Sequence, residues 1–175
     1  MDKPMPDVFF TGMSLIFQVR DWIRPPEKVL AEVDLRQGHH VLDFGCGPGA
    51  FSIAAARQVG KSGRVYALDV HPKAIHKVRE RATREGLKNI STILSDNPGG
   101  VESESVDVVL LYDIFHMLGD GHSVLEELHR VLKPDALLSF SDHHMKQERI
   151  LSDVTADGLF RLKGRGKRTY SFLKV

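Results

Sequence analysis

Asp43-Phe44-Gly45-Cys46-Gly47-Pro48-Gly49 is the stretch on which the reading of this chain turns. It follows the apolar run His40-Val41-Leu42-Asp43-Phe44 and precedes residues 52–59, a helical segment whose alanines allow close approach to a sheet. Glycines in a strand-to-helix turn permit positive φ and let a ligand come near the backbone. Twenty residues past Gly49, Asp69 ends a second apolar run over 64–70. A carboxylate there can accept both hydroxyls of an adenosine ribose. Together these features describe a nucleoside-containing cofactor lying across the carboxyl ends of parallel strands. The competing reading is a tight turn that binds nothing.

Working outward, apolar strands alternate with amphipathic helices, the pattern of a mostly parallel sheet covered on both faces. Pro25 and Pro26 open a helix over 27–33. A helix over 73–85 places Ile75, Val78 and Ala82 on one face and stops at Gly86. A third strand is expected over 90–94, and the apolar run 106–111 reads as a central strand buried on both faces. A helix over 123–132 ends at Lys133-Pro134, and a fifth strand covers 136–141. After a short helix near 147–154, runs 159–163 and 168–174 flank Gly164-Arg165-Gly166 as an antiparallel hairpin.

The 175 residues are 42% hydrophobic, enough for one domain with a substantial core and no covalent staples. Lys and Arg total 24 against 23 for Asp and Glu. That balance argues against the globally basic surface that drives nonspecific nucleic-acid binding. The single cysteine, Cys46, excludes an intramolecular disulfide and a multi-thiolate zinc site, and accords with a reducing cytoplasm. The apolar stretch 8–17 is interrupted by Thr11, Gly12 and Ser14, is too short for a bilayer span and follows no basic segment. It is expected to be an amphipathic helix, with no membrane role.

Gly45-Cys46-Gly47-Pro48-Gly49-Ala50 also satisfies the dinucleotide pattern G-x-G-x-x-A, so the glycines alone leave NAD open. Asp43 argues the other way. A carboxylate at the strand end would repel a pyrophosphate but suits the amino end of a methionine moiety. The terminal hairpin is a second discriminator, since a dinucleotide domain continues with parallel strands.

At this point the sequence resembles the class I S-adenosylmethionine-dependent methyltransferases. Residues 41–49 look like that family's first motif, and Val65-Tyr66-Ala67-Leu68-Asp69 resembles its second-strand signature. Residues 106–111 and Leu128-His129-Arg130-Val131-Leu132-Lys133-Pro134 look like its fourth strand and the helix before its fifth. Within the family the chain is most similar to the small-molecule group that includes quinone-biosynthesis enzymes. The resemblance implies a three-layer αβα sandwich of α/β class, with a seven-stranded sheet in order 3-2-1-4-5-7-6 and strand 7 antiparallel. It implies a cofactor-binding domain over 25–175, preceded by a helical lid segment over 1–24. The cofactor would be S-adenosyl-L-methionine, with S-adenosyl-L-homocysteine as product.

Carried onto this chain, the resemblance sets Gly45, Gly47 and Gly49 along the methionine and ribose. It sets Asp43 near the methionine amino group, Asp69 on the ribose diol and Val70 against the adenine face. Asp96, with its neighbour Asn97, falls at the adenine amino group, although the family's Leu-Pro-Phe segment is replaced here by Asn97-Pro98-Gly99-Gly100. Tyr112 borders the methionine end through its backbone.

Methyl transfer from a sulfonium is an in-line displacement on an already activated carbon, so alignment comes first and a general base is optional. The candidate bases follow the fourth and fifth strands: His116 in Tyr112-Asp113-Ile114-Phe115-His116, and His143 in Ser141-Asp142-His143-His144. His143 and His144 are adjacent, so one of them at most is expected to face the acceptor. No metal is expected, because an acidic cluster for Mg²⁺ is lacking. Cys46 is read as a small filler residue whose place at a helix N-terminus could lower its pKa. The basic run Arg161, Lys163, Arg165, Lys167 and Arg168 reads as a solvated face, or as the best footing for an RNA partner. The expected partner is a small-molecule methyl acceptor, not nucleic acid. Its pocket is left to the N-terminal segment, the linker 143–158 or a second subunit in a homodimer. The alternatives are a methyltransferase-like binding module without turnover, an NAD-binding domain and an RNA methyltransferase.

Overall fold

The computed structural model describes residues 25–175. The helical lid segment expected over 1–24 lies outside them. The elements run α1 (Pro26–Leu30), β1 (His40–Phe44), α2 (Ala50–Val59), β2 (Arg64–Asp69), α3 (Pro72–Arg84) and β3 (Ile90–Leu94). They continue with β4 (Val106–Tyr112), a 3₁₀ turn (Phe115–Met117), α4 (Gly121–Val131), β5 (Leu132–Ser141), α5 (Gln147–Thr155), β6 (Phe160–Arg165) and β7 (Tyr170–Lys174). One seven-stranded sheet takes the order β3-β2-β1-β4-β5-β7-β6. Strands β1 to β5 pair in parallel, and β7 runs antiparallel to both β5 and β6.

The central strands serve two cores because their side chains alternate between faces. On β4, Val109 and Leu111 join Leu42, Phe44, Leu125 and Leu128 on one face. Val108 and Leu110 join Leu30, Val41, Ala55 and Val59 on the other. Both faces of β4 are therefore dry, which is why its sequence is nearly continuous apolar. The small side chains of α2, Ala54, Ala55 and Ala56, are buried against the sheet as expected. In α3, Ile75, Val78 and Ala82 are the buried positions, and the ring of His71 caps its first turn by accepting the Lys73 N–H at 3.2 Å.

Three expectations are corrected. The first helix is shorter than 27–33, ending at Leu30. Its continuation instead makes tight turns, with the Glu32 N–H donating to Val29 O and the Val33 N–H to Leu30 O. Strand β5 begins at Leu132, not at 136, because Leu132 pairs with Val106 before a register shift that brings Leu137 opposite Val108. Asp135, inside that irregularity, takes φ 57°. The turn of the basic hairpin is partly structural. Glu32 Oε2 accepts the Arg168 N–H at 3.0 Å, the Thr169 N–H at 3.1 Å and the Thr169 hydroxyl at 3.0 Å. This carboxylate clasps the β6–β7 turn to the end of α1.

Candidate active site

The carboxyl ends of β1, β2 and β4 meet at the glycine turn. Gly45, Gly47 and Gly49 all adopt positive φ, at 74°, 51° and 82°. They are not equivalent. A Cβ on Gly49 would lie 2.6 Å from Val78 Cγ2, and one on Gly45 would lie 3.0 Å from Ile114 Cγ1, whereas one on Gly47 meets nothing within 4 Å among the described residues. Gly45 and Gly49 let protein pack on the turn, and of the three Gly47 alone faces open space among the described residues.

Asp69 fixes that turn from the end of β2. Its Oδ2 accepts the Gly47 N–H at 2.9 Å and its Oδ1 accepts the His71 N–H at 2.8 Å. The residue is 8% exposed, and burial raises its pKa against the lowering effect of those main-chain donors. An ionised carboxylate has about four acceptor sites, so the hydrogen bonds to Gly47 and His71 leave capacity for a ligand.

Asp43 lies beneath the turn rather than at its mouth. It is buried on the α2 side and accepts the Ser52 hydroxyl. Burial pushes its pKa up to about 7; the Ser52 hydrogen bond opposes the rise and the nearby charge of Asp69 adds to it. Cys46 is buried as well, and burial pushes its thiol well above the ordinary value. The helix N-terminus therefore does not activate it, and its filler role stands on packing with Ala67, Ile75 and Val78. Val70 is half-buried, and Asp96 and Asn97 are exposed. Asp96 Oδ1 accepts the Asn97 amide at 3.2 Å, while Asn97 Oδ1 accepts the Gly99 N–H at 2.9 Å and so organises the loop after β3.

The ends of β4 and β5 carry a crossed pair of His–Asp contacts. Asp113, directly after β4, accepts His143 Nδ1–H at 2.7 Å and the His143 main-chain N–H at 3.2 Å. Asp142, directly after β5, accepts His116 Nδ1–H at 2.8 Å and the His116 main-chain N–H at 3.1 Å. Each loop thus lends its carboxylate to the other's imidazole. Donation from Nδ1 places the lone pair on Nε2 in both rings. His144 lies between them, its ring centroid 4.3 Å from that of His116 and 3.9 Å from that of His143. Asp113 adopts φ 53°, a left-handed conformation that Asp and Asn take more readily than other non-glycine residues.

A cavity of about 270 Å³ opens beside these loops. Phe51, Tyr112, Met145, Ile150 and Tyr170 give it apolar walls, and Asp113, His143 and Arg168 reach it. Of the two expected bases, His143 lines this cavity and His116 does not. Tyr112 joins the cavity to the sheet: its hydroxyl lies 2.7 Å from Ser139 Oγ and its ring meets Phe51 edge-on at 4.8 Å. Burial raises its phenol pKa strongly. The sequence reading gave Asp113 and Asp142 no part in holding the imidazoles, and set Arg168 on a solvated face or an RNA footing rather than at the cavity. The β4–β5 register, Tyr112 opposite Ser141 with an Asp following each, is the signal that pairs the first two.

Among the described residues no group of three His, Cys, Asp or Glu side chains is placed to hold a metal ion. No described helix is long and apolar enough to cross a membrane.

Comparison with known proteins agrees with this geometry. The family described as "Methyltransferase domain" matches residues 35–163. The crystal structure of a SAM-dependent methyltransferase from Aquifex aeolicus superposes with a TM-score of 0.73 at 31% identity, covering 86% of this chain and 88% of that one. Aklanonic acid methyltransferase DauC of Streptomyces sp. (strain C5) is 42% identical over 74 residues, 42% of this chain and 34% of the relative. Demethylmenaquinone methyltransferase of Geobacillus kaustophilus is 28% identical over 129 residues, 73% of this chain and 55% of the relative. The chain thus spans between about a third and just over half of these curated relatives' length.

The residues present fit S-adenosylmethionine. The open cradle over Gly47 leaves room for a ligand against the backbone, and the carboxylates of Asp43 and Asp69 beneath it suit a ligand that carries positive charge. Strand order, glycine turn, matched domain and the Aquifex relative converge: the chain belongs to the class I S-adenosylmethionine-dependent methyltransferase family.

Proposed function

We propose that this protein transfers the methyl group of S-adenosylmethionine to a small-molecule acceptor held at the ends of β4 and β5. The observation that carries the reading is the juxtaposition of an open Gly47 cradle at the first loop with a mostly apolar cavity bordered by Tyr112 and His143. The small-molecule names of the Streptomyces and Geobacillus relatives support the same acceptor class.

In this reading Gly45, Gly47 and Gly49 shape the loop that receives the methionine and ribose, with Asp69 on the ribose diol. Val70, Asp96 and Asn97 border the adenine, and Asp43 contributes negative charge under the amino end. Tyr112 separates cofactor from acceptor. The bound sulfonium supplies a methyl group whose bonding pair returns to sulfur on transfer. The protein's part is chiefly alignment, which can supply about 7–11 kcal/mol of the barrier. His143, with its Nε2 lone pair, takes the acceptor's proton, a contribution of about two to four powers of ten. Asp113 orients that ring through its contact with Nδ1. Asp142 and His116 hold the neighbouring loop and the His144 ring behind it. The lone, buried Cys46 accords with a cytoplasmic setting.

Incubating the full chain with methyl-labelled S-adenosylmethionine and a panel of small phenols and acids tests the reading. Label transferred to a small molecule, with S-adenosylhomocysteine released, is the expected result. Release only when RNA is supplied would move the acceptor to another class.

A further inference from the structure

The charge around the acceptor cavity is unbalanced in one place. Asp142 has no exposed side chain; its Oδ2 serves the His116 ring and main chain, and its Oδ1 accepts the His144 N–H at 3.1 Å. Asp113 Oδ1 is likewise taken by both donors of His143. The cation on the lining, Arg168, is different. Only its main-chain N–H is engaged, by Glu32, and its guanidinium forms no salt bridge among the described residues. Glu32 Oε2 already accepts three donors from the turn, so it anchors the arginine's backbone and leaves the side chain to the cavity. A second guanidinium stands close by, Arg165, 5.3 Å from the ring centroid of the lining residue Tyr170.

Apart from Ser141, the remaining walls are mainly aromatic or aliphatic, with Phe51, Tyr112, Ile150 and Tyr170 among them. A volume of about 270 Å³ lies just under the usual range for small-molecule sites and has room for a single substituted ring. A guanidinium with no salt bridge among the described residues, at the border of a mostly apolar cavity, matches a planar carboxylate, which it can bind with two parallel N–H donors.

The geometry points to a one-ring aromatic hydroxy acid as the acceptor, its carboxylate bound by Arg168 and its ring held between Phe51 and Tyr170. This inference rests on the methyltransferase reading for the role of the cavity, but it concerns binding alone. The carboxylate would be an anchor and the hydroxyl the group offered to His143.

The test is calorimetric titration of the full chain, saturated with S-adenosylhomocysteine, with 3- and 4-hydroxybenzoate and with their methyl esters. At least one acid is expected to bind ten or more times tighter than its ester, about 1.4 kcal/mol. Arg168→Met is expected to erase that preference. Esters bound as tightly as acids, neither acid binding, or a preference that survives Arg168→Met would overturn the inference. If the variant fails to fold, the comparison of acid and ester on the unmodified chain still decides it. Saturation with S-adenosylhomocysteine is measured first, so loss of the cofactor reading shows as a separate failure at that step.

Discussion

Asp69 Oδ2 holds the main-chain N–H of Gly47 at 2.9 Å, tying the end of β2 to the one glycine of the turn that faces open space. Cradle and carboxylate are thus a single unit. Asp69→Asn keeps the shape but exchanges one acceptor oxygen for an NH₂ group, which must face either the Gly47 or the His71 N–H. A buried donor left without an acceptor costs about 1–3 kcal/mol. S-adenosylhomocysteine affinity is expected to fall at least tenfold and thermal stability to drop, measured by calorimetry and by melting of the same sample.

Gly47 and Gly49 are expected to separate by phenotype. Gly47→Ala places a methyl group in free space at a φ that costs about 1–2 kcal/mol, so the chain folds but loses cofactor affinity. Gly49→Ala drives a Cβ to 2.6 Å from Val78 Cγ2 and is expected to lose stability first, by about 1–3 kcal/mol from overpacking on top of the strained φ. Urea melts and S-adenosylhomocysteine titrations of the two variants check the division. Equal behaviour would mean that the turn is filled uniformly.

Asp43 gives the protein a pH dependence of known sign. Its folded pKa of about 7 lies above the ordinary carboxylate value because of burial. The folded state therefore binds the proton more tightly, and the stability this group contributes is full below its unfolded pKa and is lost as pH rises toward 7. Asp43→Asn is expected to flatten the fall in melting temperature between about pH 4 and 7. A cationic ligand above the turn favours the ionised form, so binding releases a proton in this window and affinity rises with pH up to about 7, then levels. Calorimetry in buffers of different ionisation enthalpy reads that proton directly.

For the imidazole, His143→Gln is expected to lower turnover by about two to four powers of ten with S-adenosylhomocysteine affinity intact. Asp113→Asn keeps a residue that tolerates positive φ and removes the charge behind the ring. It is expected to lower kcat more than it raises KM, without a matching loss in melting temperature. A structural role alone would lower stability and leave kcat of the folded fraction unchanged.

The strands, the glycine turn and Asp69 were legible because each depends on local pattern: apolar runs, glycine at positive φ, and a fixed offset to an acid. The strand order followed from resemblance to a family and from the terminal hairpin. The crossed contacts were not legible, because Asp113 and His143 lie 30 residues apart and Asp142 and His116 lie 26 apart. They meet only once β4 and β5 align Tyr112 with Ser141. The early start of β5 was hidden by Lys133-Pro134-Asp135, whose composition signals a turn while pairing at Leu132 holds the strand. The basic hairpin read as a solvated face because its fixed point, Glu32, sits more than 130 residues away, at a separation of 136 from Arg168.

Glu32 offers a check on that clasp. Glu32→Ala removes the acceptor of three donors, two of them on the buried Thr169. A loss of about 2–3 kcal/mol is expected, or roughly 5–10 °C in melting temperature for a chain of this size. Amide exchange should accelerate at Arg168 and Thr169 ahead of the rest of the sheet.

The most direct measurement is a calorimetric titration of the full chain with S-adenosylmethionine, S-adenosylhomocysteine and NAD under one set of conditions. Both sulfur nucleosides are expected to bind at a single site, with the affinity lost in Gly47→Ala, while NAD gives no heat of binding. Saturable binding of NAD with neither sulfur nucleoside recognised would contradict the methyltransferase reading.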